Sequence, residues 1–132
     1  MKPIPTLSGL GFITDPPQGM VELYKLFCVS EVSQSNLFAV QSFPNILRYG
    51  SIQDGQFSRM MRDALSTLYT AYYESAEVDV RTLENPDTAR YDIAISITVR
   101  DDNREYRLNQ AIADVAERGD VTIDRLLAGL PL

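Results

Sequence analysis

Tyr91-Asp92-Ile93-Ala94-Ile95-Ser96-Ile97-Thr98-Val99 is the stretch that decides the fold. Large apolar groups hold every odd position, while Asp92, Ala94, Ser96, Thr98 and Arg100 hold the even ones. That period of two places successive side chains on opposite faces of a strand. One face is expected to be buried and the other wet, as in an antiparallel sheet covered on one side. Glu77-Val78-Asp79-Val80-Arg81 alternates in the same way, and the intervening Glu84-Asn85-Pro86-Asp87 is turn chemistry. The two segments therefore predict a hairpin. Burying Ile93, Ile95, Ile97 and Val99 contributes ~1.5–3 kcal/mol each before conformational entropy is subtracted.

Just upstream, Phe57, Met60, Met61, Ala64, Leu65, Leu68, Ala71 and Tyr72 recur at spacings of three and four. They draw one apolar stripe down a helix spanning about residues 56 to 74, with Arg59, Arg62, Asp63, Ser66 and Thr67 outside. Asp54 or Ser58 is available as its N-cap. The stripe is expected to lie on the isoleucine face of the hairpin.

Working outward, Asp101-Asp102-Asn103 reads as a turn. Beyond it Tyr106, Leu108 and Gln110 fit a strand, whereas Leu108, Ala111, Ile112 and Val115 fit a helix. The expectation is a short strand giving way to helix by about Asn109, with Gly119 as its stop. A last turn through Ile123, Leu126 and Leu127 and an apolar end follow. Before the main helix, Tyr24 to Val32 and Leu37 to Phe43 resemble a hairpin across Ser33-Gln34-Ser35-Asn36, although Val21, Tyr24, Leu26 and Phe27 also fit a helix. Residues 1 to 20 carry Pro3, Pro5, Pro16 and Pro17 with Gly9, Gly11 and Gly19. They read as an extended arm anchored by Ile4, Leu7, Leu10, Phe12 and Ile13, covering its own core or reaching a neighbour. The architecture is thus one α+β domain over residues 1–132. Its arm is 1–20, its core 21–118 and its C-terminal arm 119–132, with one main amphipathic helix packed on an antiparallel sheet.

Composition narrows the function. The chain has 132 residues, 45% apolar and 23% charged, which suits one globular core. Its net charge of −6 disfavours nucleic acid, which demands clustered Lys and Arg. Ten arginines against Lys2 and Lys25 suit protein contacts, and equally a GC-rich genome. No apolar run approaches the ~20 residues that span a bilayer, and no secretory signal is visible, so cytoplasmic synthesis is expected. There is no histidine, which removes the commonest general base and metal ligand. Cys28 is the one cysteine and lies in an apolar stretch, so it reads as a buried structural thiol. Carboxylate chemistry has three places to look: Glu74 with Glu77, Asp79 with Asp92, and Asp101 with Asp102. Each is better explained as a sheet surface or a turn. No cofactor or metal site is expected.

The loop Ser42-Phe43-Pro44-Asn45-Ile46-Leu47-Arg48-Tyr49-Gly50-Ser51, then the helix ending Tyr72-Tyr73-Glu74, then the alternating pair through Val99, resembles the small baseplate-wedge proteins of contractile-tailed phages. That family is also called lysozyme-like. The overlap covers roughly residues 42 to 108. Ser75-Ala76 stands where the family motif has Pro-Arg, and the segment between Gly50 and the helix is short. The resemblance implies a non-enzymatic virion protein of the tail, made in the host cytoplasm and gripping wedge, sheath or tube proteins in a multi-subunit ring. No acid–nucleophile pair carries over. The candidate interface is Phe43, Pro44, Arg48, Tyr49, Gly50 and Ser51 of the loop, with Leu7, Phe12 and Leu130 of the arms. Rival readings are another tail or head–tail connector, a tail terminator, a cytosolic oligomeric ligand-binding module, and a carboxylate-dependent enzyme.

Overall fold

In a computed structural model of the chain, residues 1–6, 9, 11–29, 43, 46, 52, 55–88, 90–116 and 126–127 are described. In chain order their elements are β1 (Ile4–Pro5), β2 (Phe12–Ile13), α1 (Pro16–Val29), α2 (Gln56–Thr70), β3 (Ser75–Asn85), β4 (Arg90–Asp101) and β5 (Arg104–Ala116). The protein is an α+β fold. β3, β4 and β5 form an antiparallel sheet in that order, and β1 pairs with β2 in a small ribbon.

The β3–β4 hairpin lies where alternation puts it. Its register is unbroken from Ser75↔Arg100 to Asn85↔Arg90. Asn85 closes the turn by accepting the Asp87 N–H on Oδ1 at 3.0 Å. At the other end Asp101 pairs with Arg104, and Asp102 and Asn103 adopt φ of 53° and 63°. Positive φ at both central residues is the two-residue turn whose twist matches a β-ribbon, and Asp and Asn tolerate it.

β5 runs as strand to Ala116 rather than turning helical near Asn109. The reason is a bulge: Ile93 faces Ile112 but Tyr91 faces Val115, so β5 carries one extra residue. Ile112 and Val115 are both buried across that irregularity, three apart, which imitates a helical step.

The N-terminal region also departs from expectation. Residues 16–20 are not arm but the first turns of α1, and residues 24–29 take the helix that Val21, Tyr24, Leu26 and Phe27 also fit, not the hairpin strand. Asp15 caps α1, its Oδ2 accepting the Gln18 N–H at 3.2 Å, and Pro16 sits at the first helical position, where a missing N–H is harmless. Met20, Leu23, Tyr24, Phe27 and Cys28 form its buried stripe. Ile4 is fully buried, so this part of the arm folds back on its own core.

α2 begins at Gln56, with Gly55 as its N-cap at φ 74°, in place of Asp54 or Ser58. It presents Phe57, Met61, Ala64, Leu65 and Leu68 to the core as expected, and Tyr69 in addition. α2 lies against β3 and α1 against β5, both on the face carrying Ile93, Ile95, Ile97 and Val99. Hydroxyls tie α1 to α2 and to the turn after it: Tyr69 donates to the Met20 carbonyl at 2.6 Å and Tyr73, just past α2, to the Pro16 carbonyl at 2.7 Å. Gly19 permits this closeness, since a Cβ there would meet the Tyr73 hydroxyl at 2.6 Å and the Ile4 side chain at 2.8 Å.

Candidate functional site

The side chains of one sheet face build the core, and those of the other face build the surface to be explained. On the outer face, Arg81 lies beside Ala94 and Ala94 beside Ala111; in the next row Asp79, Ser96 and Asn109 line up. Short side chains on β4 and β5, beside the longer Asp79 and Arg81 of β3, leave an open hollow of about 460 Å³, walled by Asp79 and Arg81 and floored by Ala94, Ser96 and Ala111. Asp79 and Arg81 form an exposed ion pair at 2.8 Å along the same strand. The hollow therefore offers one acid, one guanidinium, an amide and a hydroxyl on a shallow apolar floor. The hollow is open to solvent and is not an enclosed cavity.

The acidic pairs do not assemble. Asp79 faces Ser96, whereas Asp92 faces Leu83, so the two acids are about 13 Å apart along the strands at ~3.3 Å per residue. Glu74 accepts a long 3.5 Å hydrogen bond from the Asp102 N–H, while Glu77 is exposed on the outer face. Asp101 separates from Asp102 and is buried, 2.7 Å from the α-amino group of Met1. That amine is raised above its ordinary value of 8.0, first by its hydrogen bond to Asp101. Among the described residues no group of three or more His, Cys, Asp or Glu lies together as metal ligands would.

Of the interface residues expected from the sequence, Phe43 is wholly buried, its ring 5.7 Å from Phe27, 6.2 Å from Phe57 and 6.4 Å from Tyr24. It is a core residue, not a presented one. Phe12 is 71% exposed on β2 and is free to contact another molecule. Leu7, Pro44, Arg48, Tyr49, Gly50, Ser51 and Leu130 lie outside the described residues. Within the expected C-terminal arm, Leu126 is buried and its carbonyl accepts the Gln110 Nε2–H at 2.9 Å. Cys28 is buried, and desolvation pushes its thiol up to about 12, so it carries no thiolate at neutral pH.

The hollow was not singled out by sequence reading. Its signal was present in Ala94, Ser96 and Ala111, small where an exposed strand face ordinarily carries long polar groups. No described helix is long and apolar enough to cross a membrane. No family model matches the chain, and no curated protein or solved structure matches it.

Proposed function

We propose that this chain is a non-enzymatic assembly subunit that binds other proteins through the outer face of its sheet, as a wedge component of a contractile phage-tail baseplate. The observation that carries the binding role is the open hollow over Ala94, Ser96 and Ala111, rimmed by Asp79 and Arg81. The baseplate assignment is supported by the loop, helix and alternating strand pair of residues 42 to 108, in the order that the baseplate-wedge pattern has them. A second exposed apolar group, Phe12, gives a further contact on the small ribbon. In this reading the chain's part is positional: it holds neighbours in a ring and turns over no substrate.

The test is a mass-spectrometric list of proteins that co-purify with the tagged chain from cells producing the phage whose genome encodes it. Tube, sheath, spike or other wedge proteins are expected in stoichiometric amount. A metabolic enzyme as the sole stoichiometric companion, or turnover of a substrate by the purified chain, overturns the proposal.

A further inference from the structure

β3 is an edge strand of the three-stranded sheet, and among the described residues no strand pairs with its outer side. Such an edge presents unpaired N–H and C=O groups and is a template for another strand. Proteins blunt these edges with proline, lysine or a bulge. β3 has no proline, lysine or bulge: its sequence is Ser-Ala-Glu-Val-Asp-Val-Arg-Thr-Leu-Glu-Asn, and its pairing to β4 runs without a shift. Its one protection is the charge of Glu77, Asp79, Arg81 and Glu84, which repels some partner strands and matches others. β5, at the opposite edge, does carry a bulge, and its Gln110 bonds Leu126.

The charges of β3 decide which strand it accepts. A second copy laid antiparallel about a two-fold axis at Val80 pairs every residue of the strand, from Ser75 opposite Asn85 to Asn85 opposite Ser75. In that register Asp79 meets Arg81 of the other copy and Arg81 meets its Asp79, an opposite-charge pair on each side of the axis. Val80 meets Val80, and Val78 meets Thr82, which sets β-branched residues against each other on the inner face. Moving the axis to Asp79 keeps two opposite-charge pairs, Glu77 against Arg81, but sets two carboxylates opposite one another between them. Moving it to Arg81 sets two guanidinium groups opposite one another and leaves Asp79 against Leu83. Both are penalised. The side chains that would meet are accessible, since Arg81 is 82% and Asp79 55% exposed.

We infer that β3 pairs with β3 of a second copy of this chain, Val80 on the two-fold axis, joining two three-stranded sheets into one of six. The contact is isologous, each copy using the same patch, so it closes as a dimer and does not run on into a fibre. The inference shares Asp79 and Arg81 with the rim of the hollow, but its test reads self-association of the purified chain with no partner protein present, so it fails separately from the baseplate reading.

The experiment is light scattering coupled to size exclusion on the full chain and three variants, at several concentrations and low salt, with circular dichroism confirming that each folds. The unaltered chain is expected to approach twice the 14.8 kDa of one copy as concentration rises. Arg81→Asp alone and Asp79→Arg alone each place like charges across the axis, and each is expected to elute as a monomer. The double exchange Asp79→Arg/Arg81→Asp restores opposite charges and the dimer. Mixing the two single variants also restores it, since every cross-axis pair is then acid against base. A monomeric unaltered chain at every concentration overturns the inference, as does a dimer indifferent to all these changes. Failure of both the double exchange and the mixture to recover the dimer overturns it too.

Discussion

The two faces of β4 share one backbone and one set of hydrogen bonds, yet they have opposite roles. On the inner side Ile93, Ile95, Ile97 and Val99 are at most 2% exposed and pack under two helices. On the outer side Asp92, Ala94 and Arg100 are exposed, and Ser96 and Thr98 are half-buried among the neighbouring strands. A shift of one residue exchanges every contact, because the side-chain period is two. The difference shows how one strand serves two environments: β-branched volume on one side secures the fold, and small side chains on the other leave an open hollow.

The largest expected effect comes from putting a charge on each face at adjacent positions. Ile95→Asp leaves an unpaired carboxylate in the core, which costs several kcal/mol and is expected to abolish cooperative unfolding. Ser96→Lys, one residue on, points to the solvent side opposite Asp79 and is expected to change stability by less than ~0.5 kcal/mol. Chemical denaturation of the two variants checks this. Equal losses would mean that the outer face is also covered.

A smaller effect is expected from alkali, and it acts on the inner side. Burial raises the Cys28 thiol from its ordinary 9.0 to about 12 and raises the hydroxyls of Tyr69 and Tyr24 as well. The Met1 amine is raised above 8.0 by Asp101. Each group holds its proton more tightly when folded than when unfolded. The stabilisation is therefore complete below the unfolded values and is lost as pH rises through the folded ones. The urea midpoint is expected to fall progressively from about pH 8 upward, with a steeper fall between pH 9 and 12. A midpoint level across that range contradicts the burial of these groups.

Sequence reading recovered the inner side well and the rest unevenly, for physical reasons. β4 and α2 were legible because nothing interrupts their periods, and Asp102-Asn103 because few residues accept a positive φ. The start of α1 was hidden by Pro16, Pro17 and Gly19, while Val21, Tyr24, Leu26 and Phe27 fitted a helix as well as a strand. The prolines read as breakers when Asp15 and Pro16 in fact make a helix start, and Gly19 is small because Tyr73 and Ile4 press on it. β5 was misread where the bulge spaces Ile112 and Val115 three apart and where buried Gln110 breaks the apolar alternation. Phe43 was placed at the surface because its loop carries Pro44 and Gly50. Its burial depends on aromatic rings from α1 and α2 that lie far away in sequence. The outer hollow depends on cross-strand neighbours, Ala94 beside Ala111 and Arg81 beside Ala94, which exist only once the register is known.

The smallest effect on stability should bring the largest effect on assembly. In the double variant Ala94→Gln/Ala111→Gln, two long uncharged side chains fill the hollow beside Arg81 while the inner face is untouched. The measurement is the amount of partner protein retained by the tagged variant, taken beside its melting temperature. The account predicts a melting temperature within a few degrees of the unaltered chain and loss of the bound partners. Partners retained at full level on a variant with a filled hollow contradict it.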